Sequence, residues 1–353
     1  MKRLKMGILG VEHCHMPGYA QAIKHGTGDL FEVTCVADPN VDKGERISGY
    51  LGAKYYRDYE RLLEKETIDC VFLEPIVSDH TPMSIAALEK GLHVLCEKPL
   101  GTDLKNALEV YRAYKKSGVT FHIAFAARFA NPMMRLRQLI VSGFLGQILG
   151  INATNPGNAH VPDYPDWTHN ARYSGGGSIM DHTVHCADLM RWFMSAEIME
   201  VYAEAAGKIR KWGVEDVAQI SVLFDNGVFS TIEATWVRQP RNPEIFGLTF
   251  DVFGTRAAVS TRQWYDERII LRQEVPDLHT DMEGDGCGLL QLDPIGFYGG
   301  GYDRGIFGEF YKAIMGQPHM GADIYDGIRA DQVCDAAYKS IEAGNPVRVE
   351  NIE

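Results

Sequence analysis

A chain of 353 residues, 45% apolar and 23% charged, is long enough to bury two cores and has the composition of a folded protein rather than a disordered one. Its net charge of -12 disfavours nonspecific binding to nucleic acid or to an anionic membrane surface, and no apolar run approaches the ~18 residues of a membrane span. Seven scattered cysteines, with no CxxC pair, fit a reducing compartment in which thiols serve as small core residues.

The opening stretch, Met1 to Gly10, is basic and then apolar, but its apolar part is short and broken by glycine, unlike a signal peptide. A cytoplasmic location is therefore expected. Over the first ~120 residues, short apolar runs alternate with helical patterns, the rhythm of a doubly wound parallel sheet. Strands are predicted at 4–9, 31–37, 70–73, 93–96 and 120–124, and helices at 19–25, 42–51, 59–65, 82–90 and 104–117. Beyond Phe125 the pattern changes. A helix at 133–142 and a strand at 148–154 lead into a polar and aromatic loop over 155–173. After a helix carrying Asp181 and His185 come strand-like runs at 199–206, 216–224, 228–235, 248–253, 257–261 and 268–271. Asp225-Asn226-Gly227 is a hairpin turn signal, and successive strands with short turns imply a largely antiparallel sheet. Helices near 308–315 and 324–343 finish the chain, and Gly299 to Tyr302 reads as a mobile loop or a subunit contact.

The first strand-to-helix turn, Gly7 to His15, lies where a dinucleotide-binding chain places G-x-G-x-x-G. Gly10 occupies the first glycine position of that fingerprint, with Glu12 and His15 at the second and third. A carboxylate at Glu12 repels phosphate unless the loop is reshaped. Asp38 ends the second predicted strand, where an acidic side chain can bond both ribose hydroxyls and repel a 2'-phosphate, favouring NAD over NADP. The same residue can equally start the Asp38-Pro39-Asn40 turn. His13, Cys14 and His15 with His80 are of metal-binding type, but adjacent residues ligate awkwardly, and no metal is predicted.

Gly175-Gly176-Gly177 and the following Asp181 and His185 form the most chemically suggestive segment. On a helix, Asp181 and His185 share one face, about one turn apart. Histidine titrates near neutrality, and a neighbouring carboxylate can orient it and stabilise its charged form. The glycines would let substrate or cofactor approach the backbone closely. An ordinary surface pair on a capped helix has the same spacing.

Leu95 to Leu100, containing Glu97-Lys98-Pro99, adds a third motif about eighty residues upstream. The ordered set Glu-Lys-Pro, Gly-Gly-Gly and Asp-x-x-x-His resembles the glucose-fructose oxidoreductase and inositol dehydrogenase family, Gfo/Idh/MocA. The likeness extends over nearly the whole chain, through Asp58-Tyr59, Ile68-Asp69, Arg128-Phe129 and Ser142 to Gly146. The resemblance implies an N-terminal Rossmann domain over 1–124 and a substrate-binding and oligomerisation domain over 125–353, the latter α+β with an open, largely antiparallel sheet. It also implies NAD at a nicotinamide site between them and a homodimer or homotetramer formed through the C-terminal sheet. Lys98 matches a lysine that contacts substrate and nicotinamide in relatives, and Asp181 and His185 match the pair at the substrate hydroxyl. Relatives usually carry Thr-Pro with a histidine four residues later; here Glu74-Pro75 precedes His80 by five. Thr183 replaces a common glycine.

The expected site therefore has Lys98, Asp181 and His185 as catalytic residues. Gly10, Glu12, His13, Asp38, Glu74, His80, Glu97 and Lys98 would hold the cofactor. Arg128, Asn155, His160, Trp167 and His182 would meet a carbohydrate-like substrate, since polar groups on an aromatic floor suit a sugar ring; Arg128 can also brace the chain, and Trp167 can simply pack. In alcohol oxidation, His185 accepts the proton, Lys98 stabilises the alkoxide and Asp181 orients His185 or the substrate. An NAD-dependent oxidoreductase acting on a secondary hydroxyl or ketone of a sugar, cyclitol or derivative is the leading expectation. A glycoside hydrolase or epimerase using transient oxidation, and a non-catalytic dinucleotide sensor, are the alternatives.

Overall fold

The computed structural model describes residues 2–157, 165–207, 212–237, 247–261, 268–273, 287–291, 301–350 and 352. It divides into two compact units. The first comprises Met1–Ala126, Pro162–Gly176 and Gly296–Asp331, and the second Ala127–Val161, Gly177–Ile295 and Gln332–Glu353.

In the first unit, β1 (Leu4–Leu9), β2 (Phe31–Ala37), β3 (Lys54–Tyr56), β4 (Cys70–Leu73), β5 (His93–Cys96) and β6 (Phe121–Ile123) pair in parallel in the order β6-β5-β4-β1-β2-β3. The strands are continuous apolar runs because helices cover a parallel sheet, and β4 is buried along its whole length. The connecting helices α1 (Met16–Gly26), α2 (Val41–Leu51), α3 (Tyr59–Lys65), α4 (Val77–Glu89) and α5 (Leu104–Ser117) start and stop on local signals. Asn40, Asp58 and Asp103 accept bonds from backbone N–H groups in the first turns of α2, α3 and α5, while Gly52 and Gly118 end α2 and α5 in the left-handed conformation. Chain order reverses between β1 and β4, so the loops after Gly10 and Glu74 meet at the crevice where such sheets bind ligands.

Four strand predictions and two helix predictions in this unit match to the residue. Helix α4 starts at Val77, five residues before the predicted Pro82, and carries that proline inside it. Edge strand β3 escaped prediction, being only three residues long. The first unit also takes back two distant segments, so the expected single break near residue 125 is incomplete. Ala322–Asp323 adds an antiparallel edge strand to β6, and the helix Gly301–Ile314 places Phe307 and Phe310 against Phe72 and Phe31. Aromatic pairs of this kind add about 0.5–1.5 kcal/mol each beyond area burial. That helix begins at Gly301, correcting the loop expected over Gly301 and Tyr302, and reaches seven residues ahead of the predicted start; Gly299 and Gly300 lie outside the described residues.

In the second unit, α6 (Asn131–Val141) precedes a nine-stranded sheet. It contains β7 (Ile148–Pro156), β8 (Ile198–Ala206), β9 (Val217–Phe224), β10 (Phe229–Thr235), β11 (Thr249–Gly254), β12 (Ala257–Thr261), β13 (Arg268–Gln273) and β14 (Cys287–Gln291), with Val347–Arg348 at the β8 edge. Every pair is antiparallel except β7 with β10. Along β9, Ala218, Ile220, Val222 and Phe224 point inward while Gln219, Ser221 and Leu223 point out, the period-two pattern of a half-covered sheet. Gly227 has φ 84°, as the Asp225-Asn226-Gly227 turn requires.

Candidate active site

At the crevice of the first unit, Gly10 has φ 80°, and a Cβ there would lie 2.4 Å from the Pro75 backbone. Only glycine lets the β1 and β4 loops close on each other. Asp38 is 1% exposed, and its Oδ2 and Oδ1 accept bonds from Val11 N–H at 2.6 Å and Asn40 N–H at 2.7 Å. Burial raises its pKa, opposed by those two bonds. Asp38 thus braces the loop, at the end of β2 where a ribose-binding carboxylate is expected. Glu12 turns toward α2, accepting from Asn40 Nδ2 at 2.9 Å and pairing with Lys43 Nζ at 2.5 Å. The carboxylate at the second glycine position is therefore neutralised.

Behind this loop lies a buried cluster of imidazoles and carboxylates. His15 Nδ1 is 3.1 Å from Glu97 Oε1, and Tyr19 donates to Glu97 Oε2 at 3.0 Å. His13 Nδ1 is 3.9 Å from Glu74 Oε2, and the His13 ring is 5.9 Å from that of Trp167. Burial holds His13 well below the usual histidine value, raised only in part by Glu97. For His15, burial works against the charge, but Cys14 and Glu97 outweigh it and hold the imidazole well above that value. Glu74 is pushed well up by burial and by its neighbour Glu97. Glu97 moves down, because His13 and His15 overcome its burial. Ligand atoms of His13, Glu74 and Glu97 lie within 4.8 Å of one another, as do those of His13, Cys14 and His15. Both carboxylate oxygens of Glu74 are buried without a hydrogen-bond partner among the described residues. His80 is buried, its Nδ1–H donates to Pro99 O at 2.7 Å, and burial lowers its pKa to about 4. It props the Glu97-Lys98-Pro99 turn from inside through Nδ1, while Nε2 has no hydrogen-bond partner among the described residues. Lys98 is also buried, at 2% exposure.

In the second unit, Ile179–Thr183 forms one π-helical turn that continues into the helix Val184–Met194. Asp181 lies in the wide turn and His185 in the regular helix, so the expected uniform helix face is interrupted. Trp236 Nε1 donates to Asp181 Oδ2 at 2.9 Å, and His182 Nε2 lies 3.2 Å from the same oxygen. His182 Nδ1 is 2.6 Å from Asn155 O, and Asn155 Nδ2 donates to His182 O at 3.1 Å. Asn155 and His182 thus hold each other, and His182 also faces Asp181. Glu215 Oε1 accepts from Gly177 N–H at 3.0 Å, Ile179 N–H at 2.9 Å and the Tyr338 hydroxyl at 2.9 Å. A carboxylate at the start of the turn satisfies otherwise orphaned donors and opposes the helix dipole. Arg128 forms a buried, two-pronged ion pair with Asp188 through Nε at 2.8 Å and Nη2 at 2.5 Å. It braces the second unit, the other of the two roles expected of it.

Packing calls for glycine at two of these three positions. A Cβ on Gly177 would meet Glu215 O at 1.9 Å, and one on Gly175 would meet Thr102 O at 2.4 Å. At both, the missing side chain lets backbone approach backbone. Trp167 lies in a short 3-10 turn, Asp166–His169, and its buried Nε1 has no hydrogen-bond partner among the described residues. His160 lies outside the described residues.

Residues 4–125 match the family profile described as an oxidoreductase family with NAD-binding Rossmann fold, and residues 133–260 match the GFO/IDH/MocA C-terminal domain. The chain belongs to the Gfo/Idh/MocA oxidoreductase family. Among its relatives are the 1,5-anhydro-D-fructose reductase of Ensifer adhaerens, 26% identical with 98% of each chain covered, and the myo-inositol 2-dehydrogenase of Thermotoga maritima, 26% identical with 90% of this chain and 91% of that protein covered. An uncharacterized oxidoreductase of Bacillus subtilis, YrbE, is 27% identical over 84% of this chain and 82% of its own length. A levoglucosan dehydrogenase solved with NADH and levoglucosan shares the fold, with a TM-score of 0.88 at 20% identity, over 99% of this chain and all of that one.

As a member of this family the protein is an oxidoreductase whose cofactor is NAD. Its first unit fits that cofactor: Gly10 makes the close turn, α1 begins without a side-chain cap, and Lys43 and Asn40 neutralise Glu12. Sequence reading missed Trp236 and Glu215. The one available signal for Trp236 was an aromatic residue ending an alternating strand run, which by itself reads as core.

Proposed function

We propose that this oxidoreductase interconverts a secondary hydroxyl and a ketone on a sugar, a cyclitol or a derivative of one, with Lys98, Asp181 and His185 as the catalytic residues. The carrying observation is the fixed Asp181 carboxylate, held by Trp236 and His182 one turn ahead of His185. When bound, NAD supplies the hydride acceptor. His185 takes the hydroxyl proton as hydride leaves carbon, and the Lys98 ammonium stabilises the negative oxygen that develops. Asp181 orients His185 or a substrate hydroxyl. Reversal of the proton flow serves ketone reduction. Trp167, whose ring approaches His13, offers an apolar wall and an indole N–H of the kind that suits a sugar ring.

The relatives that act on inositol and anhydrofructose support the substrate class. A panel of inositols, anhydrosugars and aldoses with NAD, read as NADH absorbance at 340 nm, tests it. Oxidation of at least one panel member, slowed about 10²–10³-fold by Lys98→Met, is the expected result; product formed without net NADH would instead indicate redox-assisted cleavage or epimerisation.

Two coarser proposals accompany this one. The uncovered face of the nine-stranded sheet carries Leu223, Phe229 and Phe253 close together across β9, β10 and β11, with Phe229 69% exposed and Gly150 between the two phenylalanines in register. Such a patch suits sheet-to-sheet association of two copies, and sedimentation of the wild type against Phe229→Lys checks it. The free thiols of Cys14, Cys35, Cys70, Cys96, Cys186 and Cys334 suit the cytoplasm. No helix among the described residues is long and apolar enough to cross a membrane.

A further inference from the structure

We infer that His182 is a positioning residue, which keeps a proton between its Nε2 and the Asp181 carboxylate and so fixes the direction in which Asp181 presents its charge. The inference rests on the reading that Asp181 serves hydroxyl chemistry, but its first step is pure hydrogen-bond logic. A backbone carbonyl can only accept, so His182 Nδ1, at 2.6 Å from Asn155 O, must carry a hydrogen. A neutral ring would then turn the Nε2 lone pair toward Asp181 Oδ2 at 3.2 Å, setting acceptor against acceptor. A proton between the two atoms removes that conflict.

The surroundings leave the ring little alternative. A Cβ on Gly157 would lie 2.4 Å from His182 Cε1, so the end of β7 closes directly on the imidazole. Asn155 holds the residue by main chain and side chain at once, donating from Nδ2 to the His182 carbonyl at 3.1 Å. Both His182 and Trp236 are buried. Oδ2 of Asp181 faces the Trp236 donor at 2.9 Å as well as the ring, which makes it the anchored oxygen of the carboxylate. Nearby carboxylates are committed to other partners: Asp188 faces Arg128, and Glu215 faces the Gly177 and Ile179 amides and the Tyr338 hydroxyl. His185 on the following helix is the other titratable ring of this segment. The chain of contacts from Asn155 through His182 to Asp181, closed by Trp236, sets a carboxylate that the π-helical turn alone would leave to rotate.

Two measurements on the full-length protein with NAD test this. The first is two-bond proton-nitrogen NMR of histidine-labelled protein at pH 7, with His182→Gln identifying the resonance. The expected spectrum shows a hydrogen on Nδ1 and a second, shared or bound, at Nε2. An Nε2 with a free lone-pair signature overturns the inference whatever the substrate proves to be. The second uses His182→Phe, which keeps a ring but no nitrogen, and is read with any panel substrate that the wild type turns over. It should lower kcat by roughly 10–100-fold, at or below the low end of what a proton-transfer group itself contributes, while KM changes by less than about threefold. His182→Gln, whose amide N–H can reach Asp181, should regain part of that loss. Where His182→Phe does not fold, Trp236→Phe replaces it, with the same split between kcat and KM expected. An unchanged kcat in either folded variant overturns the positioning role, whereas silence of the wild type across the panel counts against the substrate class and leaves the NMR result to decide.

Discussion

Both units bury histidines beside carboxylates, yet they control them in different ways. In the first unit, His13, His15, Glu74 and Glu97 come from the ends of separate strands and from the α1 approach, and desolvation pulls their proton affinities apart. In the second, one imidazole is locked between a backbone carbonyl and a carboxylate whose position is also fixed by tryptophan. The first arrangement is governed by charge balance among side chains, and the second by the donor and acceptor rules of single atoms. A cluster of the first kind responds to pH and neighbouring charge. The second kind responds to geometry.

The sharpest way to break the contrast is to remove a framework charge from the second unit. Arg128→Met leaves Asp188 buried without its guanidinium partner and should cost about 3–5 kcal/mol in urea-melt stability, with most of it recovered when Asp188 is also made apolar. In the first unit, Lys98→Met should leave the protein folded and lower kcat by about 10²–10³-fold, the size associated with loss of one stabilising donor at a developing oxyanion. Steady-state NADH kinetics beside a thermal melt check both halves of that expectation.

Acidification probes the first cluster directly. His80 has a folded pKa of about 4 against an ordinary 6.5, so the unfolded chain takes up its proton first as pH falls. Stability should therefore be lost between about pH 6.5 and 4, by on the order of 3 kcal/mol, and His80→Gln should flatten that part of the curve. His15 works in the opposite sense: its raised pKa contributes stability below the ordinary histidine value, which is lost as pH rises through the raised one. Urea midpoints from pH 4 to 8 in wild type, His80→Gln and His15→Gln separate the two. A smaller effect belongs to Glu215→Ala, which strips three donors of their acceptor and should cost about 1–3 kcal/mol, with faster hydrogen exchange at Gly177 and Ile179 than elsewhere in the second unit. Least of all, Lys43→Ala should change stability by less than about 1 kcal/mol, because its pair with Glu12 is partly exposed. It should nevertheless weaken NAD binding a few-fold by freeing the Glu12 charge.

The parallel-sheet half of the fold was legible because its strands are short apolar runs and its helices carry caps at Asn40, Asp58 and Asp103 with glycine stops. Ala322–Asp323 was not legible as a strand of that same sheet. Two residues carry no periodicity, and their pairing with β6 spans almost two hundred positions. The candidate site divides in the same way. Lys98, Asp181 and His185 stand in motifs whose order is visible along the chain. The burial of Asp38 and His80, and the spending of Asn155 and Arg128 on protein partners, depend on which atoms meet after folding.

By itself the sequence determined the fold class and the family, and it marked the residues proposed to carry the chemistry, since apolar periodicity, capping and motif order are local or linear properties. Tertiary structure alone decided what each polar side chain faces: that Glu12 is neutralised by Lys43, that the triple glycine accommodates Glu215 and Thr102, and that His182 belongs to Asp181. The reason is that hydrogen-bond roles are fixed by pairs of atoms a few ångströms apart, and those pairs join residues such as Asp181 and Trp236 that no local pattern connects.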